Sequence, residues 1–307
     1  MCVQSTHGQC AIVAGSFRQW AVSYPRQRSG LCCSALYSWE ALLQCSPNPQ
    51  SRHGIRRTPV RRCGSPRHSA SSQKIYENPR LSQHPILVVV VHGDSSDGTP
   101  PTYQYRFAER AAAAILDTVV AAVLRPGYSD GEDTSDGLRG LTTGDNWTPE
   151  IVNAVATVLA ELKDRYHPRR VIVVGDSGGA AIVANLLGQQ GTVVDGALLV
   201  SCPCDLAAWR KHMQSVKGGA IWERPVRSLS PLVLVDRVPA SAKVWLLAGS
   251  EDQITPSALT LAYAEALRSR NVAVNVTIAQ GLGHNILLES IAIEHLKEIA
   301  STIDTGR

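Results

Sequence analysis

The chain lacks any apolar run approaching the ~20 residues of a bilayer-spanning helix, which excludes a transmembrane helix. It also lacks a phosphate-binding glycine loop. The stretch "GDSSDG" (93–98) has no lysine of the P-loop kind, and no G-x-G-x-x-G opens a helix after a strand. Nucleotide and dinucleotide chemistry therefore has no motif to rest on, and no cofactor is expected. Cys202-Pro203-Cys204 has no further Cys or His at ligand spacing, so a zinc site is not expected and the pair is read as packing at a strand end. There is no internal repeat. Acidic residues are almost missing from positions 1–80, which hold 2 Asp and Glu against 11 Lys and Arg.

What that first segment does contain sets it apart. Six of the eight cysteines fall there (2, 10, 32, 33, 45 and 63), among Ser, Arg, Gln and Pro. No period of 2 or 3.6 is sustained. A stretch such as "SRHGIRRTPVRRCGSPRHSASSQ" (51–73) buries little apolar surface and is expected to be disordered. Residues 1–74 are therefore read as a basic extension, and residues 75–307 as the folded domain. A basic arm that binds nucleic acid, a disulfide framework and a transit peptide are the rival readings, and nucleic-acid binding is not expected. The apolar stretch "CAIVAG" (10–15) is short and no basic residue precedes it, so it makes a poor signal peptide and a cytoplasmic location is favoured.

From Pro85 onward strands and helices alternate. "PILVVVVHG" (85–93), "TVVAAVLRPGY" (118–128), "VIVV" (171–174), "VDGALLVSCPCD" (194–205), "AKVWLLAGSED" (242–252) and "VAVNVTIAQ" (272–280) read as strands. Helices are expected over 103–117, 148–167, 180–187 (with Gly188 as its C-cap), 257–271 and 289–303. The second begins with Thr148 as a candidate cap, Pro149 in the first turn and Glu150 at the positive end. This alternation implies an α/β fold with a mainly parallel sheet covered on both faces.

The stretch "VIVVGDSGGAAIVANLLG" (171–188) places Ser177 between a buried strand and a helix, with small residues on both sides. That is the setting of a nucleophile elbow. The letters GDSGG also surround the serine of trypsin-like proteases, but there the serine lies between β-strands and follows its histidine and aspartate. A serine needs a base, and the base needs an orienting acid. Here Asp252 follows the strand ending "GSED", and His284 lies in "GLGHN" after the next strand. The order Ser177, Asp252, His284 contradicts the trypsin-like order. Asp205, which ends "SCPCD", is the rival acid; Asp252 is preferred and Asp205 is expected to cap the following helix. Asp97, Asp130 and Asp136 are read as solvated loop residues, Asp176 as a turn residue and His92 as structural.

With these residues in view, 85–303 resembles the α/β-hydrolase superfamily. "VVVVHGD" is similar to its oxyanion strand and loop, "GDSGG" to its elbow, "GSEDQITP" to its acid loop and "GLGH" to its histidine loop. The resemblance implies a serine hydrolase with catalytic Ser177, Asp252 and His284. It further implies an oxyanion hole made by the backbone N–H groups of Gly178 and Asp94, with Ser95 as the other candidate. The HGGG of many esterases is replaced here by His92-Gly93-Asp94-Ser95. "SPLVLVDRVPASAKVWLLAGSEDQITP" also resembles the catalytic domain of prolyl-oligopeptidase-type peptidases, although no stretch of this chain has the makings of their β-propeller.

Only 206–241 separates the strand ending near 205 from the one before the acid, so little or no cap is expected. Tyr103, Trp209 and Trp222 are candidate substrate-binding residues, with Tyr105, Met213 and Ile221 beside them; packing of this segment onto the core is the alternative. The expected activity is hydrolysis of small carboxylic esters through an acyl-enzyme on Ser177. The alternatives are a serine peptidase acting on short peptides and an idle hydrolase fold used for binding.

Overall fold

A computed structural model describes residues 72–190 and 194–304. The expected disorder of the N-terminal extension lies outside the described residues up to position 71. A seven-stranded sheet forms the centre, built from β1 (Ser72–Glu77), β2 (Ile86–Val91), β3 (Thr118–Leu124), β4 (Arg170–Asp176), β5 (Gly196–Val200), β6 (Lys243–Gly249) and β7 (Ala273–Ala279). The spatial order is β1-β3-β2-β4-β5-β6-β7. All neighbours are parallel except β1, which pairs antiparallel with β3.

The continuous β-branched runs explain the layering. In β2 all six residues of "ILVVVV" are buried, and a strand turns successive side chains to opposite faces. Leu87, Val89 and Val91 join the core under α2 (Pro149–Tyr166), α3 (Gly178–Gln190), α4 (Leu206–Lys217) and α5 (Ser257–Ser269). Ile86, Val88 and Val90 join the opposite core, under α1 (Tyr103–Ala114) and α6 (Ser290–Asp304). Each fully buried Val, Leu or Ile contributes about 1.5–3 kcal/mol, so the two cores hold the loops at the strand ends on a stiff base.

The structure departs from the expected boundaries in places with physical causes. Strand β1 starts at Ser72, ahead of the boundary placed at 74/75, because Ser72–Glu77 finds a partner in Leu124–Val119. Strand β3 stops at Leu124, where Arg125 turns into the interior. Strand β5 stops at Val200, where Ser201 takes φ +49°. Cys202 and Cys204 follow, both buried and joined by a disulfide. Thr148 stands at the N-cap of α2, but its side chain makes no capping bond; its carbonyl accepts the Val152 N–H instead. Asp130, expected in solvent, is buried. It accepts hydrogen bonds from the Tyr105 hydroxyl (2.7 Å) and the Glu132 and Asp133 N–H groups, with Lys74 at 3.0 Å.

Between β5 and β6 lie α4 and two short 3-10 turns, Ala220–Glu223 and Pro231–Arg237, so the cap is small. Buried Arg210 holds this segment down by donating to the carbonyls of Thr143, Ile221, Trp222 and Arg224. No helix among the described residues is long and apolar enough to cross a membrane.

Candidate active site

Ser177 sits at the sharp joint between β4 and α3. Its φ of +52° is unusual for a residue with a Cβ, and the surroundings hold it there. The Ser177 N–H donates to Val200 O at 2.8 Å, and its carbonyl accepts the Ala181 N–H. The next turn packs directly on β2. A Cβ on Gly179 would lie 2.2 Å from the Val91 carbonyl oxygen, so only glycine fits that approach.

His284 and Asp252 come from the loops after β7 and β6. These loops are tied together: the Ser250 N–H donates to Ala279 O at 3.0 Å and the Glu251 N–H to Leu282 O at 2.9 Å. Ser201, at the end of β5, donates its hydroxyl to the His284 carbonyl at 2.8 Å. Three successive strand ends thus meet at one histidine. His284 Nδ1 lies 2.8 Å from Asp252 Oδ2, and Nε2 lies 3.0 Å from Ser177 Oγ. With the proton on Nδ1 donated to Asp252, Nε2 is free to accept the serine proton.

Asp252 is buried and fully engaged. Its Oδ1 accepts the Ile254 and Thr255 N–H groups, both at 2.8 Å, and its Oδ2 accepts the Thr255 hydroxyl at 2.6 Å. Burial raises its pKa, but the His284 and Thr255 bonds outweigh burial and hold the carboxyl below its ordinary range. Burial likewise disfavours a charged His284. The Asp252 bond and charge, with the charge of Asp176, overcome it and raise the imidazole above its ordinary value. Thr255, 3.1 Å from His284 Nδ1, is a member that the sequence reading missed. Its signal is the spacing: a Thr three residues after an Asp can close a turn onto the carboxylate.

Asp205 stands elsewhere, capping α4 by accepting the Ala207 and Ala208 N–H groups at 3.1 Å each. Asp205→Ala should cost about 1 kcal/mol of stability and leave turnover within about twofold. A thermal melt and an esterase assay on that variant check this; collapse of turnover would make Asp205 the acid.

The oxyanion loop is held from below. Asp94 Oδ1 accepts from Arg125 Nη1 (2.7 Å) and Asn146 Nδ2 (2.8 Å), and Oδ2 accepts from Trp147 Nε1 (3.3 Å). Gly178 packs against this carboxylate; a Cβ there would lie 2.7 Å from Asp94 Oδ1. The backbone N–H groups of Asp94 and Gly178 make no hydrogen bond among the described residues. The Gly93 N–H, by contrast, is engaged by the Tyr103 hydroxyl at 2.6 Å. His92 is buried and structural: Nε2 accepts the Arg125 N–H, and Nδ1 donates to Gly93 O. Burial, with the Arg125 charge, pushes its pKa well down and keeps it neutral.

The three aromatic residues expected near substrate have different settings. The half-buried Tyr103 turns its hydroxyl inward, to Gly93 and to Asp176 Oδ2 at 2.7 Å. Trp209 is buried, donates Nε1 to Ile254 O and lies between Trp147 (tilted, 5.2 Å) and Trp222 (edge-to-face, 5.7 Å). It therefore packs the cap segment onto the core, whereas Trp222 remains half-buried at the outer end of this row.

A family model described as the prolyl oligopeptidase family matches residues 103–301, more than half of the chain. The chain belongs to that family. It is a serine hydrolase with the α/β-hydrolase fold. No curated protein matches it in sequence. Among solved structures, it is similar to Est1E of Butyrivibrio proteoclasticus, solved with ferulic acid bound (TM-score 0.59, 13% identity, 76% of this chain and 95% of that one). It is similar to a thermostable carboxyl esterase of Bacillus coagulans (0.54, 16% identity, 76% and 93%). It is also similar to the acylaminoacyl peptidase of Pyrococcus horikoshii (0.53, 16% identity, 76% of this chain), of which it spans 39% of the length.

Proposed function

We propose that this protein hydrolyses carboxylic esters of small substrates through an acyl-enzyme on Ser177. The observation that carries the reading is the hydrogen-bonded chain from Asp252 through His284 to Ser177. In this mechanism Ser177 Oγ attacks the ester carbonyl carbon while His284 Nε2 takes its proton. Asp252 holds the imidazole and stabilises its charged form. Negative charge develops on the carbonyl oxygen, and the N–H groups of Gly178 and Asp94 receive it. Because the Gly93 N–H is already engaged, Asp94 is the first donor that this loop has to offer. His284 then protonates the leaving alcohol, and water, deprotonated by His284, cleaves the acyl-enzyme. A cap of one helix and two short turns favours small substrates.

Cleavage of short peptides is the second reading, favoured by the family match. A fluorophosphonate probe followed by mass spectrometry of the modified peptide tests the activated serine. A panel of short-chain p-nitrophenyl esters, ferulate esters and aminoacyl amides then separates the readings. Labelling at Ser177 with ester turnover is the expected result; amide turnover in excess of ester turnover moves the protein to the peptidases.

The raised pKa of His284 sets the pH profile. Below it the imidazole carries a proton and cannot act as base. The acidic limb of kcat/KM should therefore have its midpoint above the ordinary histidine value of about 6.5. A limb at or below that value would mean that the Asp252 bond and the acidic charges do not raise His284 as the geometry implies.

A further inference from the structure

Asp176 is the buried charge that this mechanism leaves unused. It directly precedes the nucleophile. Its Oδ2 accepts the Tyr103 hydroxyl, but its buried Oδ1 has no partner among the described residues. A buried carboxylate with one idle oxygen costs stability, and the turn itself does not need it, since it takes no hydrogen bond from the elbow backbone. The other end of the contact lies in the oxyanion loop. The Gly93 N–H can only donate, so the Tyr103 oxygen must accept it and direct its own hydrogen to Asp176. The chain Gly93 N–H, Tyr103 O–H, Asp176 carboxylate therefore runs in one direction. It joins the loop that ends β2 to the residue before Ser177. Gly93 is also seated on the nucleophile: a Cβ there would lie 3.0 Å from Ser177 Cβ.

We propose that Tyr103 and Asp176 are positioning residues for the oxyanion hole, with Tyr103 fixing the Gly93 peptide so that the next N–H, that of Asp94, faces the substrate oxygen. The proposal rests on the serine-hydrolase reading above and adds two residues that do not touch substrate. It also gives the Asp176 charge a task. Asp176 faces Tyr103 from α1, His284 from the loop after β7 and Asp252 from the loop after β6, while Arg125 acts on Tyr103 from the end of β3. Burial, partly offset by His284 and Tyr103, pushes its carboxyl up to about 6, so near neutral pH it is largely ionised. In that form it favours the imidazolium that forms in the transition state.

Two isosteric variants test this. Tyr103→Phe removes the relay and should lower kcat by about 10- to 100-fold with KM nearly unchanged, since an oxyanion donor acts on the transition state. Asp176→Asn still accepts the Tyr103 hydroxyl but loses the charge that favours the imidazolium, so kcat should fall, by less than in Tyr103→Phe. It removes the charge that faces His284, so the acidic limb of kcat/KM should move to lower pH. The His284 pKa, followed by NMR titration in wild type and Asp176→Asn, should fall in the same direction. A Tyr103 of merely structural use would lower the melting temperature of Tyr103→Phe and leave its kcat in place. Full kcat in Tyr103→Phe, or an unmoved His284 pKa in Asp176→Asn, overturns the proposal. If wild type is inert on every ester, the ester reading falls, and the NMR titration still decides the role of Asp176. If Tyr103→Phe fails to fold, as judged by circular dichroism, Asp176→Leu, which takes away the acceptor of the Tyr103 hydroxyl, is assayed in its place; it should show a similar loss of kcat, and full kcat there overturns the proposal.

Discussion

Ser177→Ala should abolish the proposed ester turnover, with a loss on the order of 10⁶-fold in kcat, while the fold and its melting temperature stay near wild type. The loss is large because the hydroxyl is the atom that bonds to the acyl group, and nothing else at the elbow can take its place. The fold survives because the strained φ is borne by the backbone. The Ser177 N–H still reaches Val200, and alanine has the same Cβ as serine. Only the bond to His284 Nε2 is lost, and the His284 side chain is 15% exposed, so water can replace the partner. Adding His284→Ala to this variant should cost nothing further, because the two residues act as one unit. Steady-state assays on the single and double variants, with thermal melts, check both statements. Wild-type turnover in well-folded Ser177→Ala would end the acyl-enzyme scheme.

Why these residues were legible in the sequence, and others were not, has a physical explanation. Ser177 and Asp252 each follow a buried strand and His284 follows the half-exposed edge strand β7, and in a parallel sheet the strand ends share one edge. The run "VIVV" and the glycines after it announce both the strand and the sharp turn. Strand β1 gave no such signal. "SQKIYE" has little apolar character and is stabilised by pairing with a strand far along the chain. Asp130 looked solvated because its loop is rich in Asp, Gly and Ser; its burial depends on Tyr105 and Lys74, which come from other elements. The same applies to Tyr103 and Trp209. Periodicity shows that an aromatic ring can be buried, but not which neighbour receives its polar atom. The cap segment was legible in length alone, and Arg210, which ties it down through four carbonyls, carried no motif.

Asp94 is the extreme case of that limit, and Asp94→Ala should be the most destabilising single change near the site. Its sequence position marks it as a backbone donor, yet its side chain is the partner of a guanidinium that is fully buried. Arg125 Nη1 reaches Asp94 at 2.7 Å, and among the described residues the other guanidinium bonds go to the carbonyls of His92 and Asn146. Removing the carboxylate leaves that charge uncompensated and strips Asn146 and Trp147 of an acceptor. Breaking one side of such a pair costs about 3–5 kcal/mol. For a domain of this size that is a fall in melting temperature of roughly 10 °C. Asp94→Asn keeps the shape and one acceptor oxygen and should lose less. The decisive comparison is the double variant Asp94→Ala with Arg125→Met, which replaces both charges with apolar groups and should recover much of the stability. It should not recover turnover, because the oxyanion loop would then have lost the anchor under its donor peptide. Denaturant melts and kcat on the four members of this cycle separate the two effects. If Asp94→Ala costs under about 1 kcal/mol, the carboxylate is not what compensates Arg125; if the double variant regains full turnover, the buried pair has no part in holding the loop.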